Sequence, residues 1–196
     1  MFKKNKNKNS GYTLIETMIA LAIFLIVVTI GSGSLINAYS VNRKSQDLRS
    51  GIDGLSFAIE DMSRNIRTGY NYHCIVAGDL SLITDTKSCI DGGDGIAFES
   101  SEGDESISED QWAYFIFDGK LFKTTTGDLN PLNAVQMTPS EVVLSETTKN
   151  FVVFGAEKTD KQQPFVIIRL VGKITSRGQV TSFSLQTMIS QRKSDI

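Results

Sequence analysis

At 196 residues the chain is long enough to bury a core without metal staples, and it needs no second catalytic domain. Its composition is that of an average globular protein, and a formal net charge of -2 excludes both a strongly basic nucleic-acid binder and a disordered acidic tail. The average hides an asymmetry: Lys3, Lys4, Lys6 and Lys8 all precede Gly11, and taking these four from the 20 basic residues leaves 16 against 22 acidic ones.

Residues 17–30, TMIALAIFLIVVTI, are almost wholly apolar, and with residues 31–38 they reach far enough to cross a hydrocarbon core of about 30 Å. The basic cluster before them stays cytoplasmic by the positive-inside rule, which predicts a single-pass chain with its N-terminus in and its C-terminus out. An ordinary secretory signal also has a basic start and an apolar run, and GSGS at 31–34 offers small residues for its cleavage. Glu16 separates these readings. A carboxylate at the entrance to an apolar run is costly on insertion, up to about 2.5–3.5 kcal/mol at a helix centre and less near the interface, and a disposable signal has no use for it.

With these features together, GYTLIE at Gly11–Glu16 resembles the N-terminal signal of type IV pilins, pseudopilins and related competence proteins. The resemblance implies that a prepilin peptidase cuts after Gly11 on the cytoplasmic side and that the new first residue, Tyr12, is N-methylated. Phenylalanine is usual at that position, and Tyr12 keeps the ring. The resemblance also implies assembly with other pilins or pseudopilins on an inner-membrane platform, with Glu16 setting subunit registry. Cleavage would free an α-amino group at Tyr12, whose ordinary pKa of about 7.7–8.0 leaves it cationic near neutrality. A carboxylate buried among packed apolar helices needs a cation, and in this family that cation is the N-terminal ammonium of a neighbouring subunit. The alternative for Glu16 is a solvated place at the level of the lipid headgroups. The expected organisation is a leader at 1–11, a transmembrane and polymerisation helix at 12–38, and a periplasmic or cell-surface head at 39–196.

The helical pattern continues past the membrane. Leu48, Ile52, Leu55, Ile59, Met62 and Ile66 recur at spacings of three and four, which places one apolar stripe on one helix face, and Gly69 follows as a C-terminal cap. A helix from Thr13 to Thr68 is roughly 80 Å long, more than a bilayer needs. The stripe is expected to lie against a sheet, with a coiled coil as the lesser alternative. Gly31 and Gly33 mark a segment that either softens the helix or permits close packing in the membrane.

Beyond residue 90 the pattern is that of strands. Trp112–Phe117 and Lys120–Thr125 flank Asp118-Gly119, a two-residue hairpin signal. Phe151–Phe154, Phe165–Val171 and Val180–Ile189 are further strands; in the last, Phe183, Leu185 and Ile189 alternate with Ser182, Ser184 and Gln186. Segments 69–95 and 126–141 are rich in turn residues and read as loops. The expected fold class is therefore α+β, a long N-terminal helix packed on an antiparallel β-sheet head.

Cys74 and Cys89 are the only cysteines, and both fall in the exported part, where either a disulfide or two buried thiols is open to them. His73 is the only histidine, which excludes a histidine-based metal cluster and leaves a Ser-His-Asp array dependent on this one residue. Asp91, Asp94, Asp104, Glu105, Glu109 and Asp110 form an acidic stretch read as a solvated loop, with calcium as the lesser alternative; no cofactor is expected. Membrane lipid and other subunits are the expected partners, without nucleic acid, and no enzymatic activity is expected. A weaker resemblance runs through DLRSGIDGLSFAIEDMSRNIR and the closing FSLQTMISQR, which look like J-type pseudopilins of type II secretion and W-type minor pilins. It implies a minor subunit at the tip or initiation complex of a type IV pilus or a type II secretion pseudopilus. The alternative function is a membrane-anchored or secreted β-rich binding domain behind an ordinary signal segment.

Overall fold

The computed structural model describes residues 11–76, 85–158, 162–176 and 178–192; the leader lysines lie outside them. The chain divides into two compact units, Met1–Ser45 and Gln46–Ile196. A single helix, α1 (Leu14–Thr68), belongs to both. No proline interrupts it, so every turn keeps its backbone donor, and it runs unbroken through Gly31 and Gly33. At its far end the Gly69 N–H donates to the Asn65 carbonyl at 2.9 Å, and the chain turns directly into a strand.

Among the described residues ten strands follow, all paired antiparallel: β1 (Tyr70–Ile75), β2 (Cys89–Gly93), β3 (Gly95–Glu99), β4 (Trp112–Phe117), β5 (Lys120–Thr124), β6 (Val135–Gln136), β7 (Val142–Leu144), β8 (Phe151–Phe154), β9 (Phe165–Ser176) and β10 (Gln179–Ser190). One sheet has the order β1-β3-β4-β5-β6 and the other β10-β9-β8-β2, with β7 pairing separately with β9. This is the expected α+β layout of one long helix followed by antiparallel sheets. The Asp118-Gly119 hairpin forms between β4 and β5, with φ of 48° and 67° at the two turn residues. Two successive positive φ values give the mirror-image turn whose twist matches the flanking strands.

The reading of segment 69–95 as loop is corrected, since β1, β2 and the start of β3 lie in it; within 126–141 the pair Val135–Gln136 is also strand. The physical reason is irregularity. The β1–β3 register shifts between Tyr70 and His73, the β2–β8 register shifts between Cys89 and Gly93, and Asn71 and Gly92 have positive φ. Bulges of this kind erase the period-two alternation by which a strand is read from sequence.

Within the second unit, α1 buries Gly51, Leu55, Ala58, Met62 and Ile66, with Leu48 and Ile59 partly buried beside them. Tyr72, Phe98 and Tyr114 from one sheet and Phe151, Ile168 and Ile174 from the other complete a continuous core. The expected stripe is corrected at one position: Ile52 is 51% exposed, and Gly51 takes its place against the sheet. A methyl group at Gly51 would stand 2.9 Å from Ile174 Cδ1, and one at Gly54 would stand 2.5 Å from Pro139 Cγ. Small residues on this face let the strands approach closely.

Candidate functional site

Gly11, Tyr12 and Thr13 precede the helix without helical structure. Thr13 caps it: the Glu16 N–H donates to the Thr13 hydroxyl at 3.4 Å, and the Thr17 N–H donates to the Thr13 carbonyl at 3.2 Å. A threonine here serves donors that a first helical turn leaves without partners. The Thr17 hydroxyl donates to the Leu14 carbonyl at 2.8 Å, so both threonines beside Glu16 are engaged with the backbone. Glu16 therefore lies in the first turn, where the positive end of the helix dipole favours a carboxylate.

Every residue from 11 to 43 is exposed within the chain, including Tyr12 at 83%, Leu14, Ile19, Phe24 and Ile30. The helix is long and apolar enough to cross a membrane by length and composition. Glu16 is the single charged residue between Gly11 and Asn42. Such a surface loses free energy in water at about 25 cal/mol per Å², so lipid or other apolar helices must cover it.

The two cysteines form a disulfide, Cys74–Cys89, with a Cα–Cα distance of 5.9 Å. Cys74 is on β1 and Cys89 on β2, so the bridge ties the edge of one sheet to the edge of the other. Of the two states open to the thiols, the paired one is present. His73 Nδ1 is hydrogen-bonded to the Asp85 carbonyl oxygen. The acidic stretch is spread over separate partners: Asp94 pairs with Lys149 at 3.5 Å, Glu105 with Lys158 at 3.1 Å, and Asp110 accepts the Asp104 N–H at 2.9 Å. Among the described residues no three His, Cys, Asp or Glu side chains converge as a metal cluster.

A polar network on the head has no counterpart in the sequence reading. Asp61 accepts the Tyr114 hydroxyl at 2.6 Å and Lys123 Nζ at 2.9 Å, while Asn65 Nδ2 donates to the Tyr114 oxygen at 2.8 Å. Lys123 also sits over the Trp112 ring, 4.7 Å from its centroid. Burial pushes the Asp61 carboxyl up, but hydrogen bonds from Tyr114 and Lys123 and the Lys123 charge together hold it below the usual carboxylate range. Burial and the Asp61 hydrogen bond raise Tyr114. The only sequence signal was Asp61 and Asn65 four residues apart beside the apolar stripe.

The family model described as the prokaryotic N-terminal methylation motif matches residues 6–32. That span contains Gly11, Tyr12 and Glu16, and it supports the type IV pilin-like resemblance over this segment. Comparison with curated proteins finds no match, and neither does comparison with solved structures.

Proposed function

We propose that this chain, which carries a prokaryotic N-terminal methylation motif, is the precursor of a pilin or pseudopilin subunit that works by polymerising. Prepilin peptidase cuts it after Gly11 and Tyr12 is methylated; residues 12–38 anchor the subunit in the cytoplasmic membrane, N-terminus in, before the helix enters a filament. Residues 39–196 form the periplasmic or cell-surface head. The observation that carries this reading is Glu16, the lone charge in an apolar segment with no cover of its own inside the motif. A protein held only by lipid gains nothing from a carboxylate there, whereas packed helices gain registry if each carboxylate meets the Tyr12 ammonium of a neighbour.

The resemblances to J-type pseudopilins and W-type minor pilins support a minor subunit, placed at the tip or initiation complex of a type II secretion pseudopilus or a type IV pilus. Its partners are then the prepilin peptidase, neighbouring pilins or pseudopilins, the inner-membrane platform and membrane lipid. Its role is structural rather than catalytic.

The test is the intact mass and N-terminal residue of the protein extracted from host membranes. A mature chain starting at methylated Tyr12 is the expected result. An uncut chain, or one starting near Leu35, would replace this reading with a membrane-anchored or secreted β-rich binding domain. Glu16→Ala provides the second arm: membrane insertion persists, because removing a charge lowers the insertion cost, while recovery in the sheared filament fraction drops about tenfold or more, matching loss of a buried pair worth several kcal/mol.

A further inference from the structure

β3 ends on Glu99, and the chain then folds over that residue before β4 begins. Glu99 is 1% exposed, although glutamate is almost never fully buried without a partner of opposite charge. Bonds within the covering segment, residues 100–111, give it a fixed shape. The Gly103 N–H donates to the Ser100 carbonyl at 3.0 Å, the Ile107 N–H to the Asp104 carbonyl at 2.9 Å, and the Asp104 N–H to Asp110 Oδ2 at 2.9 Å. The Tyr70 hydroxyl of β1 donates to the Gly103 carbonyl at 2.7 Å and ties the segment down. A methyl group at Gly103 would stand 2.9 Å from Glu99 Oε2, so the segment lies directly on the carboxyl.

Among the described residues one donor reaches that carboxyl: Gln111 Nε2 donates to Oε1 at 2.7 Å. Glu99 Oε2, Gln111 Oε1 and Asp110 Oδ1 are each buried without a hydrogen-bond partner. Acceptors shut away with no donor are costly, and a buried charge with no cation more so. The titratable groups facing Glu99 have the wrong sign to help, being Asp104, Glu105 and Asp110 from the segment and the Tyr70 phenol from β1. Glu102 and Glu109 are exposed. Lys158 reaches the segment, but its ammonium pairs with Glu105 at 3.1 Å, and both side chains are more than half exposed. A proton on Glu99 Oε2 would remove the charge and supply the missing donor, and the amide already bonded to Oε1 carries an unpartnered acceptor. Burial pushes the Glu99 carboxyl up, the Gln111 hydrogen bond works against it, and the charges of Asp110, Glu105 and Asp104 add to the rise.

We propose that residues 100–111 form a proton-held latch, closed while Glu99 keeps its proton and released when that proton leaves. Ionised Glu99 regains water by lifting the segment, because no cation neutralises it in the closed arrangement. The closed state binds this proton more tightly than the open one. Closure is therefore full in acid and is lost as pH rises from the ordinary carboxylate range through the raised value. Release frees the Tyr70 hydroxyl from Gly103, while Tyr72, Phe98 and Tyr114 stay packed in the core, so the opening is local.

The test is hydrogen exchange by mass spectrometry on the full chain in detergent micelles, from about pH 4 to about pH 8, with each rate divided by that of an unstructured chain at the same pH. Between the ordinary and the raised pKa, protection across residues 100–111 is expected to fall about tenfold per pH unit. These amides should exchange faster than those of β9 and β10 throughout, as local opening requires. Glu99→Gln keeps an acceptor for Gln111, adds a donor and has no charge to gain, so its loop protection should stay level with pH. Asp110→Asn removes one neighbouring charge, so near neutral pH its loop should be better protected than that of wild type. Carbon-13 titration of the Glu99 carboxyl reads the same proton in the unaltered chain. Level protection in wild type, a Glu99 carboxyl titrating at or below the ordinary range, or protection in Glu99→Gln that still falls with pH would each overturn the latch. Loop amides that exchange no faster than those of β9 and β10 would overturn it as well, by assigning the opening to global unfolding.

Discussion

Asp61 and Glu99 are carboxylates on the same head, yet their surroundings push them in opposite directions. Asp61 is held low, against burial, by Tyr114 and Lys123. Its contribution to stability is therefore present above the unfolded carboxylate range and is lost as pH falls through its lowered folded value. Asp61→Asn is expected to cost about 1 kcal/mol near neutrality, discounted for partial exposure, and the gap from wild type should close in acid. Urea denaturation across that range checks it; a gap that stays constant would remove the ion pair from the account. Glu99 is 1% exposed, and burial raises its pKa; a hydrogen bond from Gln111 Nε2 at 2.7 Å works the other way, while Asp110, Glu105 and Asp104 add to the rise. Here the folded state holds the proton more tightly than the unfolded one, so stability is full at low pH and is lost as pH rises through the raised value. Glu99→Gln keeps the acceptor for Gln111 without the charge, and denaturation at neutral pH should show a more stable protein whose advantage disappears in acid.

At the scale of elements, the contact between helix and sheets reverses a familiar substitution. Replacing a helical glycine by alanine ordinarily stabilises by about 0.8–1.0 kcal/mol. At Gly54 the added methyl would stand 2.5 Å from the Pro139 ring, which cannot swing aside as a flexible side chain does. Overpacking of this kind costs about 1–3 kcal/mol, so Gly54→Ala is expected to be neutral or destabilising in urea denaturation. A stabilised variant would mean that the connection between β6 and β7 does not approach the helix as described. The same closeness explains why Ile52, apolar and correctly spaced, is turned outward while Gly51 is turned in. Periodicity fixed the helix and the width of its apolar face. Which of two adjacent residues sits at the centre of that face depended on the shape of the surface opposite.

On the scale of the whole molecule, the disulfide carries a topological role, since β1 and β2 belong to different sheets and their bridge closes a 15-residue separation. Cys74→Ser with Cys89→Ser is expected to cost about 3 kcal/mol by releasing the unfolded chain, read as a fall in the urea midpoint. A loss below about 1 kcal/mol would show that strand pairing alone holds the two edges together. The chain's own residues determined the long helix, the exposed apolar segment with Glu16 at its entrance, and the β4–β5 hairpin, because these rest on neighbours within a few positions: unbroken apolar spacing, a basic flank, and the Asp118-Gly119 turn. The strands β8, β9 and β10 were legible for the same reason. Only the tertiary structure decided that β1 and β2 are strands, that Cys74 meets Cys89, and that Asp61 meets Lys123. Those features join residues far apart in the chain, and their energies arise from burial and pairing that exist only after the sheets have closed on the helix.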